Sequence, residues 1–376
     1  MELRKINLLA VTLALLVSCS DDDTTGKSFQ PDDSNTTLVK FEMNANTGHY
    51  PAPQTRGITL PLIQKENFRI LAFKKSADEK YLYLQDVPTD EMSMNEKLLS
   101  GTARLPIGEY KFVTTYGLAK GGGFALSDLV PMTTELTDDL SITHESVDGS
   151  SVIFLQQGEL GALQSYQLGF QPENAETVSA SLTRAVARVD VLFLQSKKNG
   201  DSYTEVTDSA DVFGASGLAG IEMQLTGVNK NINLLGTQIT NDKGSLFNAN
   251  FQIPNLDAAV TRGTSTEATQ VGNPEFRDYD LITGEDIMRG SAHVHGAYLL
   301  PFKDAESRAG FRMVLTNGQG LQRTIVASQN IPLERNKVTL IKIHVLGGTV
   351  FSSNVQFDIT VDTQWLPADV VDGEIN

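Results

Sequence analysis

The chain has 376 residues, of which 40% are hydrophobic, with one cysteine and a net charge of −16 at neutral pH. A chain this acidic, with no basic stripe interleaved with aromatics, repels phosphate backbones and anionic lipid heads, which argues against a nucleic-acid partner. A lone cysteine excludes a disulfide within the chain, so stability has to come from packed domains, and the length leaves room for two.

Arg4 and Lys5 give a positive start, and an apolar run from Leu8 to Val17 follows. The run is too short for the roughly 20 residues that span a bilayer, and it reads as a secretory signal over residues 1–18. It ends in Leu16-Val17-Ser18-Cys19, which resembles the lipobox of bacterial lipoproteins, where cleavage leaves the cysteine as a lipidated, palmitate-bearing first residue. The alternative is a chance cysteine at the end of an ordinary signal. Asp21, Asp22 and Asp23 resemble the surface-export signal of Bacteroidetes lipoproteins, or else form a plain solvated spacer. Removing residues 1–18 takes away Glu2, Arg4 and Lys5 and moves the charge from −16 to −17. Residues 19–37 are then an acidic tether with too little apolar surface to order itself, and as a coil it spans roughly 20 to 25 Å.

A first β-sandwich is expected over residues 38–182. Val39, Phe41 and Met43 alternate with Lys40 and Glu42, the period of a half-buried strand. After a proline-rich gap containing Arg56 and Gly57, Phe68 to Phe73 and Lys80 to Leu84 read as a hairpin. A Pro106-Ile107-Gly108 turn precedes a face of Tyr110, Phe112, Thr114 and Tyr116, and Ser151 to Leu155 is a further apolar run.

A second sandwich is expected over residues 183–376. Ala185, Ala187, Val189, Val191 and Phe193 share one face while Arg184, Arg188 and Asp190 share the other with Val186, so both faces are partly covered. Strands follow at Gly220 to Leu225 and His295 to Phe302, then a hairpin from Phe311 to Ala327 through Asn317-Gly318. Asn336 to Val345 and Val355 to Trp365 close the domain. In the last run Val355, Phe357, Ile359, Val361 and Trp365 lie on one face. Residues 256–292 are polar and read as a surface excursion. Few stretches keep helical spacing, so the fold class is all-β.

The lipobox, the acidic tether, Thr55-Arg56-Gly57 ahead of the Phe68 strand, Leu182-Thr-Arg-Ala-Val-Ala-Arg-Val-Asp-Val191 and a strand ending in Trp365 together resemble the fimbrillins of Bacteroidales, the type V pilins, which are exported as lipoprotein precursors. The resemblance implies two transthyretin-like β-sandwich domains in tandem. It also implies a structural subunit of an adhesive cell-surface fimbria. In that family an arginine-specific protease removes the lipidated leader and first strand, and the C-terminal strand of a neighbouring subunit fills the groove left behind. On this chain the cut falls between Arg56 and Gly57, and the donor set is Val355, Phe357, Ile359, Val361 and Trp365. Anchor members of the family instead keep the lipid, here on Cys19. The partners implied are other fimbrial subunits, the protease, and the outer membrane through the lipid. Thr261-Arg262-Gly263 repeats the cleavage tripeptide, so a protease could choose either.

No nucleophile, base and orienting group fall into a catalytic pattern, and there is neither a G-x-S-x-G nor a P-loop, so the chain is expected to be no enzyme and to need no cofactor. His293 and His295 share one strand face and are expected to be an exposed polar pair rather than metal ligands; His344 reads as a solvent-face residue. Arg184 and Arg188 either pair with acidic groups across the domain junction or are ordinary strand-edge charges. Asp278, Asp280, Glu285 and Asp286 could hold a calcium ion, although their spacing is not that of an EF-hand. Gly121 to Gly123 is a flexible turn. A surface glycan-binding lipoprotein is the alternative function, with exposed aromatics as its stacking platform.

Overall fold

The computed structural model describes residues 35–46, 63–95, 97–118, 123–145, 153–156, 158–169, 176–206, 210–236, 246–253, 256–263, 289–302, 307–327 and 331–365. Among these the only α-helix is a single turn, Leu256–Ala259, and the rest of the regular structure is nearly all strand. The chain is all-β, as its alternating patterns predict.

Eleven strands come first: β1 (Thr36–Asn46), β2 (Phe68–Lys75), β3 (Tyr81–Asp86), β4 (Ser93–Asn95), β5 (Leu98–Pro106), β6 (Gly108–Tyr116), β7 (Phe124–Leu126), β8 (Ser141–His144), β9 (Phe154–Gln156), β10 (Ser165–Leu168) and β11 (Glu176–Arg184). Nine of them form one sheet in the order β3-β2-β6-β9-β11-β1-β5-β4, with β10 added to β6. Laid flat, β1 and β6 would stand three strand spacings apart, roughly 14 Å. The rings of Phe41 on β1 and Phe112 on β6 are nevertheless 5.4 Å apart, so the sheet curls over and packs against itself. The Pro106-Ile107-Gly108 turn makes that possible. It does not join neighbouring strands but carries the chain across the core, with Gly108 at φ +150° and the buried Tyr110 hydroxyl donating to the Pro106 carbonyl at 2.8 Å.

The remaining strands are β12 (Ala187–Asn199), β13 (Ser202–Glu205), β14 (Leu218–Asn229), β15 (Asn231–Asn233), β16 (Leu246–Gln252), β17 (Val260–Arg262), β18 (Ala292–Leu299), β19 (Gly310–Asn317), β20 (Gln322–Val326), β21 (Lys337–Leu346) and β22 (Gln356–Trp365). One sheet runs β17-β18-β12-β21-β22 with β13 on β12, and a second runs β16-β14-β19-β20. They enclose a shared core that includes Val191, Phe193, Met223, Phe251, Met313 and Ile343. The expected hairpin is present as β19 and β20, joined by the four residues 318–321, of which Gly320 has φ +80°. Val260 to Arg262, expected in a polar excursion, instead pairs with β18 because Val260 is buried against that core.

A third cluster joins the two parts of the chain. β15 pairs antiparallel with β8 in a three-stranded sheet β15-β8-β7. Beneath it, Leu71, Phe73 and Val113 meet Ile142, Ile232, Leu235 and Leu300.

Candidate assembly site

β1 is an interior strand. It pairs in parallel with β11 from Val39 to Asn46 and antiparallel with β5 from Thr36 to Asn44. Val39, Phe41, Met43 and Ala45 are wholly buried, while Lys40 and Glu42 on the opposite face form a surface ion pair. At roughly 1.5 to 3 kcal/mol for each large apolar side chain, Val39, Phe41 and Met43 contribute on the order of 5 to 9 kcal/mol. Cys19, Asp21, Asp22, Asp23, Arg56 and Gly57 lie outside the described residues, as do Asp278, Asp280, Glu285, Asp286 and Gly121.

β22 is the edge of its sheet and pairs with β21 along its whole length, from Lys337 opposite Trp365 to Leu346 opposite Gln356. Val355, Phe357, Ile359 and Val361 are half-buried and pack against the core of their own chain. Acting as a donor in a neighbour would require β22 to leave this ladder. Arg262 of the repeated tripeptide stands in β17, ion-paired with Asp211 and lying over the Phe213 ring.

The mid-chain motif forms a buried ion network. Asp190 is buried, and Arg188 Nε donates to its Oδ1 at 2.8 Å. The Gly296 N–H donates to the same oxygen at 2.9 Å, and His293 Nε2 lies 2.9 Å from Oδ2. A carboxylate only accepts, so that imidazole nitrogen carries the proton. The Arg188 guanidinium also reaches His295 Nδ1 at 3.1 Å and the Tyr298 hydroxyl at 3.1 Å. Arg188 has no lone pair to offer, so His295 accepts through Nδ1 and is neutral. Burial, with the neighbouring charges of His293 and Arg188 adding to it, pushes the pKa of His295 well below its usual value. Burial alone would raise that of Asp190, but Arg188 and His293 outweigh it and hold the carboxyl below its ordinary range.

This corrects the expectation of an exposed histidine pair, since His293 is 0% exposed. A register shift between Val189 and Val191 opposite β18 breaks the regular alternation there. Donor atoms of Asp190, His293 and His295 lie within 4.8 Å of one another, as a metal site would require. A cation of the chain itself, Arg188, already donates into both Asp190 and His295. Arg188 thus pairs with Asp190 of its own strand and with His295 and Tyr298 of β18. His344 is likewise buried, not on a solvent face: Tyr203 stacks on it at 3.9 Å and Ser196 holds its Nδ1 at 3.0 Å. Sequence reasoning also missed Arg335, whose Nε donates to the Arg184 carbonyl and whose Nη1 donates to that of Gly236. Burial lowers its pKa to about 10.

The geometry defines a class: an all-β chain of sandwich-like sheets whose first described strand completes the middle of a sheet. The chain belongs to the family of fimbrillin-A associated anchor proteins Mfa1 and Mfa2, whose family model matches residues 63–371. It is similar to a provisionally described adhesin from Bacteroides ovatus, at 13% identity over 88% of this chain and 96% of that one, with a TM-score of 0.44. It is also similar to a provisionally described adhesin from Bacteroides thetaiotaomicron, at 9% identity over 90% and 100%, TM-score 0.43. A third similar structure is the fimbrial anchor protein Mfa2 from Porphyromonas gingivalis, at 12% identity over 88% and 98%, TM-score 0.35. No curated protein matches.

Proposed function

We propose that this protein is the anchor subunit of a cell-surface fimbria, held at the outer membrane by the lipid on Cys19 and retaining β1 for good. The observation that carries the reading is the place of β1. It is the strand nearest the lipid site, yet it is paired on both edges and buries four apolar side chains. Losing it would separate β5 and β4 from the rest of the sheet and expose unpaired backbone on two edges. The family assignment favours the same role, and the reading assigns the chain no reaction and no cofactor.

A second reading is cleavage after Arg56 followed by strand exchange. It is favoured by β1 being the first strand of the chain, so that its removal would vacate a slot between β11 and β5 without cutting any other connection. The first mass of the surface-exposed protein decides between them. The anchor reading expects a chain beginning at acylated Cys19 and unchanged by Arg56→Ala. A surface form beginning at Gly57, with polymer ladders that Arg56→Ala abolishes, would overturn it in favour of strand exchange. Cys19→Ala should release the protein from the membrane fraction, and continued membrane fractionation of that variant would remove the lipid anchor.

A further inference from the structure

β6 is paired by β10 from Gly108 to Lys111 and by β9 at Thr115 and Tyr116, which leaves Phe112 to Thr114 facing a break in the ladder. On the far side stand Val178, Ser179 and Ala180 of β11, whose pairing with β9 begins only at Leu182. The break opens a cavity of about 250 Å3. Its floor is apolar, from the buried Phe112, Leu163 and Val178, and its rim carries the exposed Gln164 and Ser179.

Two carboxamides in this wall have their oxygens occupied. Gln156 Oε1 accepts from the Thr114 N–H at 3.0 Å, and Gln164 Oε1 accepts from the Tyr166 hydroxyl at 3.1 Å. Each is left with an NH2 group to donate. Among the described residues Tyr166 is the single lining residue that can ionise, and burial raises its pKa, so this part of the wall is neutral at physiological pH. Lys111 on the same strand donates to the Leu160 carbonyl and lies over the Tyr81 ring. An ionic ligand would be desolvated there without a counter-charge. What the wall asks for is a neutral molecule with one apolar face and several oxygen acceptors, smaller than the drug-sized ligands of pockets of roughly 300 to 1,000 Å3.

We infer that this cavity binds one neutral sugar ring, as a single unit of a glycan, with its C–H face on Phe112 and Val178 and its hydroxyls on the Gln156 and Gln164 amides. The site is independent of the anchoring role. Saturation-transfer NMR tests it on the full-length protein in a non-glycosidic detergent, with the methyl glycosides of glucose, galactose, mannose and N-acetylglucosamine and with glucuronate. At least one neutral glycoside should show transfer, and glucuronate none. Ala162→Phe, on the exposed wall of the cavity, should weaken that binding tenfold or more at an unchanged urea midpoint, and Gln164→Ala should weaken it as well. Absence of transfer to every glycoside overturns the proposal. So does binding that Ala162→Phe leaves intact, and so does displacement of the glycoside by an uncharged dipeptide amide at lower concentration, which would make the cavity a peptide site.

Discussion

Asp190→Asn should destabilise the protein by about 3 to 5 kcal/mol, the cost of breaking a buried pair by neutralising one partner. The carboxylate takes two donors on Oδ1, from Arg188 and Gly296, and one on Oδ2 from His293. Asparagine keeps the shape but has one acceptor oxygen for three donors, and its NH2 group must face either the guanidinium or the His293 N–H. Arg188, whose side chain is 8% exposed, loses the charge of the carboxylate that its Nε faces at 2.8 Å. Urea unfolding followed by fluorescence would read the loss as a lower midpoint at constant slope. The double variant Arg188→Met with Asp190→Leu removes both charges at once, so it should cost less than the sum of the two single changes, with a coupling of roughly 0.5 to 3 kcal/mol. If Asp190→Asn costs under about 1 kcal/mol, or the double variant is simply additive, Arg188 and Asp190 are not the coupled buried pair that their geometry implies.

Gly296→Ala should prevent folding or cost at least as much as Asp190→Asn, because a Cβ there would stand 1.8 Å from the Val189 carbonyl oxygen, which is backbone and cannot yield. Solubility and the urea midpoint of the variant check it. Acid should weaken the fold between about pH 6.5 and 4. Burial lowers both His144 and His344 to about 4, so each contributes stability above its unfolded value that is lost as pH falls through the folded one, roughly 2 to 3 kcal/mol apiece by pH 4.5. In His144→Phe the pH dependence of unfolding should shrink by about one proton, and an unchanged slope refutes the assignment. Replacing Asp21, Asp22 and Asp23 with alanine should hold the protein facing inward, read as loss of labelling by an impermeant surface reagent.

Strand identity was legible because alternation reports which face of a strand is buried. Val39, Phe41 and Met43 are wholly buried, and the run from Ala187 to Ser196 is buried on both faces, as the mixture of apolar and charged residues there implies. Alternation says nothing about which strand lies beside which. The run from Pro106 to Gly108 therefore looked like a local turn although it crosses a core, and nothing in Asn231-Ile232-Asn233 announced that it would pair with β8 from the other part of the chain. The ion network was hidden for a related reason. His293 and His295 carry the spacing of a surface face, and the irregular register opposite Val189, with Gly296 close behind, leaves His293 buried and His295 half-buried beside Arg188 and Asp190. Left-handed Asn336 was equally silent in the sequence: its N–H donates to the Val186 carbonyl and its side chain receives Arg184, fixing the short link between β11 and β12.

The order of strands also bears on what an anchor has to withstand. If the chain is the lipid-held anchor proposed above, a pull on the fibre enters the described fold at β1, whose first residue is Thr36. Because β1 lies inside the sheet, a pull along its axis acts on eight residue pairs with β11 and nine with β5 together, in shear, where rows of hydrogen bonds must fail at once. An edge strand would offer one ladder, and one pulled from its end across the ladder would open a bond at a time. The buried side chains of Val39, Phe41 and Met43 add a slot that the strand would have to be dragged through. Among the described residues β22 differs in this respect, with a ladder on one side alone. Under the proposed anchor role, β1 with its two ladders is the strand suited to being held, and β22, with one ladder among the described residues, is the strand suited to meeting another subunit.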